Sequence, residues 1–184
     1  MKKFLKPYLG VLLMGSLIAT SSCGSDDDPA PTSDRELITT VTLSLTPQGK
    51  EGTPVVATIK SLDGKNPTEA TLTLKAGTTY EGELLLLDEQ ETPAIKIHEE
   101  VLEEADDHQV FYTPNPQSLL TVVATDKDSK NRPVGLATTI TAGTAGTGKL
   151  KVVLKHQPGT KAAAPGDATK GETDVEVEFN VIVQ

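Results

Sequence analysis

The side chains best suited to chemistry in this chain are its three histidines, His98, His108 and His156. Imidazole nitrogens beside carboxylates are the ligands that zinc and copper sites use. His98 and His108 flank an acidic segment, so either Glu104 or Asp107 could complete a set that His156 joins in space. No pair has the H-x-x-x-H spacing that places two ligands on one helical face, and His98 falls on an apolar arc. A metal site and a group of hydrogen-bonded structural histidines are therefore both open.

A second arrangement of donors lies in the segment T-D-K-D-S-K-N-R, residues 125–132. Asp126, Asp128 and Asn131 are oxygen donors close together in a turn, which is a pattern that can wrap a calcium ion. The glycine at position 6 and the glutamate at position 12 of an EF-hand are absent, and two lysines stand among the donors. The same residue types are typical of an ordinary hairpin turn, which is the favoured interpretation.

Motifs of enzymatic catalysis do not occur in the sequence. There is no G-x-S-x-G elbow, no H-E-x-x-H and no second cysteine, and the glycine-rich run 143–148 lacks the lysine and the following helix of a phosphate loop. We therefore predict that the protein is not an enzyme and binds no obligatory cofactor, with a divalent metal such as zinc or copper as the candidate ligand. A hydrolase using two carboxylates in a pocket is the remaining enzymatic alternative.

The elements that must position these residues are strands. Apolar and polar residues alternate with a period of two, rich in Val, Ile, Leu and Thr, and half-buried strands require this pattern. Clusters of Gly, Pro, Asn and Asp separate the stretches. The pattern predicts an all-β fold, an antiparallel β-sandwich of about eight strands with immunoglobulin-like or Greek-key topology, and a closed barrel is the alternative. The stretches are residues 37–45, 54–59, 70–74, 80–87, 119–125, 134–141, 149–155 and 174–183.

One segment departs from this alternation and has helical spacing. It predicts a short surface helix near residues 97–106, followed by a strand over 109–112. The segment 155–173 is rich in Pro, Gly and Ala, and we expect it to form an exposed loop between the last two strands. The apolar arc of the predicted helix comprises Ile97, Val101, Leu102 and Ala105.

The N-terminal segment has the order of a secretory signal peptide. Lysines at positions 2, 3 and 6 precede an apolar run, residues 8–19, and small residues follow. The run is about a dozen residues, whereas a spanning helix needs about 20, so a signal peptide over 1–22 is favoured over a permanent anchor. The only cysteine, Cys23, comes directly after Ser21 and Ser22. A single thiol excludes internal disulfides.

The residues around Cys23 resemble the lipobox of bacterial lipoproteins. That resemblance implies a diacylglycerol on the thiol, cleavage before the cysteine and acylation of the new amino group. The following residues, Ser25, Asp26, Asp27 and Asp28, resemble the acidic export signal of surface lipoproteins of the Bacteroidota. The resemblance implies a protein held at the outer membrane and facing the cell exterior, and the charged, proline-containing segment 23–36 would be an extended tether.

Composition narrows the function classes of the remaining domain, residues 37–184. The whole chain has a formal net charge of −9, and removal of the signal takes away three lysines and no acid. Such a charge disfavours nucleic acid and anionic lipid as partners. Aromatic residues make up only 3% of the chain, which disfavours a glycan-binding surface because sugar rings stack on aromatic side chains.

Phrases in the body of the chain, among them D-H-Q-V-F-Y (107–112), L-K-H-Q-P (154–158) and G-E-T-D-V-E-V-E-F (171–179), resemble small Bacteroidota lipoproteins. The resemblance implies an accessory binding module that works with a TonB-dependent outer-membrane receptor in nutrient or metal uptake. It makes His108, His156 and Glu172, which lie in these phrases, the first metal candidates, with His98 a further one. The alternative function is a structural or adhesive envelope protein without a small ligand.

Overall fold

The computed structural model describes residues 37–49, 52–61 and 66–184, which all lie in one unit, Arg35–Gln184. The described part contains nine strands and one short helix. In chain order these are β1 Thr40–Pro47, β2 Val55–Lys60, β3 Thr71–Leu74, β4 Thr79–Leu87, α1 Ile97–Glu103, β5 His108–Asn115, β6 Leu120–Ala124, β7 Ala137–Ala142, β8 Gly146–His156 and β9 Glu172–Val183.

Two separate sheets face each other and confirm the predicted all-β sandwich. One sheet has the order β2-β1-β4-β7-β6 and the other β3-β9-β8-β5. In the described part both sheets are open, which rules out the closed barrel. All the pairings are antiparallel except β3 with β9, where Thr71 to Leu74 run parallel to Asn180 to Val183. This parallel pair is the one departure from the predicted antiparallel arrangement.

The alternation of residue types in the strands explains which faces meet. In β4, Tyr80, Leu84 and Leu86 are buried, whereas Glu81 and Glu83 between them are exposed. A period of two sends successive side chains to opposite faces, so one face of each sheet packs into the core and the other meets water. Burial of each large apolar side chain stabilises the fold by about 1.5–3 kcal/mol. Fully buried members of this core are Leu43, Leu45, Leu72, Ile140, Leu150, Leu154 and Phe179.

The helix forms where the sequence predicts it, but it ends three residues earlier, at Glu103. Ile97 and Val101 are buried, as expected, and α1 packs against β4. Leu102, placed on the same arc by the sequence, is half exposed, because a helix of two turns covers too narrow a strip of the sheet to bury its full arc. A turn over residues 104–107 then leads directly into β5.

The segment between β8 and β9 is mostly exposed, as its composition predicts, but two of its residues are buried against the rest of the domain. Gln157 and Lys161 are buried, and the Gln157 side-chain amide donates to the carbonyls of Asp167 and Lys170. Gly171, with a φ of 69°, closes the segment, and a Cβ there would collide with the carbonyl of His156. The segment therefore folds back on the end of the sandwich, beside the histidines.

Candidate metal centre

The sheet brings two of the three histidines side by side at one end of the sandwich. His108 begins β5 and His156 ends β8, and the two residues are direct partners in the antiparallel pairing. Their rings stack with centroids 4.6 Å apart and an interplanar angle of 14°. Directly opposed residues have closely spaced Cβ atoms, so the register itself produces this contact.

Glu104 supplies a carboxylate to the same place. It lies in the turn between α1 and β5, four residues before His108, and its Oε2 is 3.9 Å from the His108 Nδ1. One ligand atom from each of Glu104, His108 and His156 lies within 4.8 Å of the others. These three residues form what we call the His–His–Glu cluster.

The spacing of the cluster is compatible with closure on a single ion. Zinc–ligand bonds of about 2.0–2.1 Å in a tetrahedral site place neighbouring ligand atoms about 3.3 Å apart. The largest separation in the cluster, 4.8 Å, therefore has to shorten by about 1.5 Å. The two rings are stacked nearly parallel, and imidazole lone pairs lie in the ring plane, so both rings can bind one ion only after one of them turns out of the stack. The partly buried His156 and the 63% exposed Glu104 side chain have to supply this movement.

Burial prepares His108 for such a role. Its side chain is 3% exposed, and its Nδ1 lies 3.2 Å from the carbonyl oxygen of Glu104. Burial lowers the pKa of His108 and the charge of His156 acts in the same direction, whereas the Glu104 hydrogen bond and nearby carboxylates oppose the change. A neutral imidazole is the form that binds a metal ion, so the surroundings favour a ligand at neutral pH.

A buried carboxylate faces the opposite edge of the same ring. Asp174 Oδ2 is 4.0 Å from His108 Nε2, and the Asp174 side chain is only 2% exposed. Asp174 lies where the β8–β9 register shifts: Leu154 pairs with Val175, and Lys155 pairs with Thr173. Asp174 is the extra residue between these pairs. Sequence reasoning missed this residue, because simple alternation gives no sign of the shift.

The other three predicted ligands, Asp107, Glu172 and His98, lie outside the cluster. Asp107 is not one of the three mutually close residues. Glu172 is the β9 partner of His156, but it is exposed and is not one of the three mutually close residues. His98 lies on α1, and its Nδ1 is 3.0 Å from the carbonyl of Leu86. Because a carbonyl only accepts, His98 donates this bond and ties α1 to β4.

In the acidic turn considered as a calcium site, the two aspartate carboxylates accept hydrogen bonds from the protein's own amide and cationic groups. Asp126 accepts the backbone amides of Gly135, Leu136 and Ala137. Asp128 accepts the Arg132 amide and Nε, and its Oδ2 is 3.0 Å from the Lys161 ammonium. Carboxylates held by cations and amides in this way build a turn, which agrees with the favoured interpretation of this segment.

The charge state of Asp128 follows from the same contacts. Burial would raise its pKa, but hydrogen bonds from Arg132 and Lys161 outweigh burial and hold the pKa of the carboxyl well below its usual range. Both Asp128 and Lys161 have fully buried side chains. The pair is therefore an ionised contact within the protein interior.

Lys161 of this buried pair and Arg132, which also binds Asp128, together hold the turn that carries Glu104. Lys161 Nζ donates to the carbonyl of Ala105 at 2.7 Å, and Arg132 Nη2 donates to the carbonyl of Asp106 at 2.7 Å. The backbone amide of Gln157, next to His156, donates to the carbonyl of Asp107 at 2.6 Å. Three successive carbonyls of the turn, those of residues 105–107, thus accept hydrogen bonds from other segments, which holds the turn that carries Glu104 beside the histidines.

A groove of about 610 Å³ lies elsewhere, between the edge strands β5 and β6. Its lining is largely apolar, from residues such as Val110, Tyr112, Val122 and Pro165, with Lys127 at its rim. No Asp, Glu or His is among the lining residues described. This groove therefore offers neither a carboxylate pair for hydrolysis nor metal ligands.

The predicted lipid-attachment residue and export signal lie outside the described residues. These are Cys23, Ser25, Asp26, Asp27 and Asp28. Within the described part of the chain, no helix is both long and apolar enough to cross a bilayer. Comparison with protein-family models, with curated proteins and with solved structures found no match to this chain.

Proposed function

We propose that this protein is a lipid-anchored, non-enzymatic module of the outer membrane that faces the cell exterior and binds a divalent transition-metal ion. The observation that carries the metal-binding role is the His–His–Glu cluster, in which two paired strands and a fixed turn bring three donor side chains within 4.8 Å. Two imidazoles and a carboxylate suit zinc or copper better than calcium or magnesium, which prefer oxygen ligands.

The anchoring part of the proposal is supported by the signal-like N-terminus and by the residues around Cys23. Acylation at that cysteine would provide several chains, and each buried methylene contributes about 0.8 kcal/mol to membrane binding. A metal-binding domain tethered in this way would work beside a receptor, and a TonB-dependent outer-membrane receptor is the partner we propose. The role is then that of an accessory module in metal uptake.

Zinc titration calorimetry on the full-length protein tests the metal-binding role. We expect one zinc ion per chain, and a His108→Ala/His156→Ala variant should lose at least about tenfold in affinity, since ligand loss has effects of this size or larger. The matched control is His98→Ala, which removes a histidine outside the cluster. Equal affinity in the double variant and the wild type would refute the proposed site.

Labelling with radioactive palmitate tests the anchor independently of the metal. Wild-type protein should be labelled and remain in the outer-membrane fraction, whereas Cys23→Ala should be unlabelled and released. Protease treatment of intact cells then tests exposure at the cell surface, and co-purification tests the proposed receptor. Retention of an unlabelled Cys23→Ala protein in the membrane would contradict lipid anchoring.

A further inference from the structure

The two nitrogens of the His108 ring have different neighbours. Nδ1 faces the turn, with the Glu104 carbonyl at 3.2 Å and the Glu104 carboxylate at 3.9 Å. Nε2 faces β9, with Asp174 Oδ2 at 4.0 Å. The ring therefore lies between an exposed carboxylate on one edge and a buried one on the other.

The exposures of these two carboxylates assign them different roles. The Glu104 side chain is 63% exposed and belongs to the cluster of three mutually close ligand residues. The Asp174 side chain is 2% exposed and is not a member of that cluster. An ion that arrives from solvent and binds Glu104 and His156 thus meets the Nδ1 edge of His108, and Asp174 remains behind the ring.

We propose that Asp174 is a positioning residue of the metal site, which accepts a hydrogen bond from His108 Nε2 and so directs the Nδ1 lone pair to the ion. This inference rests on the metal-binding function proposed above. Metal-bound histidines commonly donate their second N–H to a carboxylate, which fixes the tautomer and raises the basicity of the ligand. Asp174 would supply this contact from the β8–β9 bulge.

The proposal requires the imidazole proton to change places when the metal binds. In the metal-free protein the bond to the Glu104 carbonyl places a proton on Nδ1, because a carbonyl oxygen can only accept. A metal ion on Nδ1 displaces that proton, and in the resulting neutral ring the proton is on Nε2, facing Asp174. The proton count of the ring is unchanged. The distance of 4.0 Å between Nε2 and Oδ2 then shortens by about 1 Å to reach hydrogen-bonding range.

Zinc titration of full-length Asp174→Asn, beside the wild type, tests the energetic part. Asparagine has nearly the same shape as aspartate but lacks its charge, and we expect zinc affinity to fall by about 10–100-fold. The matched control is Glu172→Gln, which neutralises an exposed carboxylate on the same strand and should change affinity less than about twofold. A loss in the control as large as that in Asp174→Asn would overturn the proposal, because the effect would then be one of net charge.

Nitrogen-15 NMR of the histidine rings in the wild-type protein tests the geometry without any variant. We expect the His108 signals to change from an Nδ1-protonated ring without zinc to an Nε2-protonated, Nδ1-coordinated ring with zinc. Coordination through Nε2 would overturn the proposal, since Asp174 would then be a direct ligand or a bystander. This measurement also decides the matter if Asp174→Asn does not fold.

The outcomes separate this inference from the function on which it rests. If His108→Ala loses zinc affinity while folded Asp174→Asn keeps it, the metal site stands and the role of Asp174 is refuted. If the wild-type protein itself binds no zinc, both proposals fail together.

Discussion

Replacing Lys161 with methionine should destabilise the protein strongly, although the residue lies in a segment that looks like an exposed loop. The substitution keeps the length of the side chain and removes the ammonium group, which contacts Asp128 Oδ2 at 3.0 Å and the Ala105 carbonyl at 2.7 Å. Both charged side chains are fully buried. Asp128 would then retain its charge with one cationic partner fewer.

The expected loss can be bounded from these contacts. Removal of one partner of a buried ion pair costs about 3–5 kcal/mol, because the other charge stays buried without compensation. Arg132 remains bound to Asp128 through its Nε at 2.7 Å, so we expect the lower end, about 3 kcal/mol. This is a large share of the stability of a typical domain, which is about 5–15 kcal/mol.

Urea unfolding at neutral pH measures this loss, with Lys170→Met as the matched control. Lys170 is an exposed lysine of the same segment, and its replacement should change the free energy of unfolding by less than about 0.5 kcal/mol. An equally small change in Lys161→Met would refute the inference that the buried pair anchors this segment. If the pair also positions Glu104, folded Lys161→Met will bind zinc more weakly than Lys170→Met does.

Three further outcomes are expected. The free energy of unfolding should fall as pH drops below about 5, because the folded-state pKa of Asp128 is depressed. The stability that Asp128 contributes is full above its unfolded pKa of about 4 and is lost on acidification. In urea unfolding measured at several pH values, Asp128→Asn should show a shallower fall. Gly171→Ala should lower the melting temperature far more than Gly159→Ala. Both glycines have positive φ, but only at Gly171 would the added Cβ collide with the His156 carbonyl. Equal shifts in melting temperature would contradict this collision. His98→Ala should lose about 1 kcal/mol of stability with its hydrogen bond to β4 and retain zinc affinity in calorimetry, and a loss of zinc affinity would place His98 in the site.

The positions of the strands were predictable from the sequence because burial along each strand is periodic. The pairing of one strand with another was not predictable. Alternation identified the buried face of β4, where Tyr80 and Leu84 point inward. It contains no information on which strand lies beside which, so the parallel pairing of Thr71 with Asn180 could not be foreseen. The partial exposure of Leu102 likewise depends on how narrow a strip α1 covers, which its own sequence does not determine.

The candidate site was predictable in its residue types and only partly in its membership. His108 and His156 stood out as histidines, and Glu104 as an acid close to one of them in sequence. Asp174 had no signal, because its position depends on a register shift between β8 and β9. The burial of Lys161 could not be predicted for a related reason. Composition alone does not distinguish a loop that extends away from the domain from one that folds back on it.

The most direct test of the central claim is a crystal structure of the protein soaked with zinc, with the ion located by anomalous scattering. The account predicts one ion bound by His108, His156 and Glu104, with zinc–nitrogen distances of about 2.0–2.1 Å. An ion bound elsewhere, with the two histidine rings still stacked on each other as they are without metal, would contradict it.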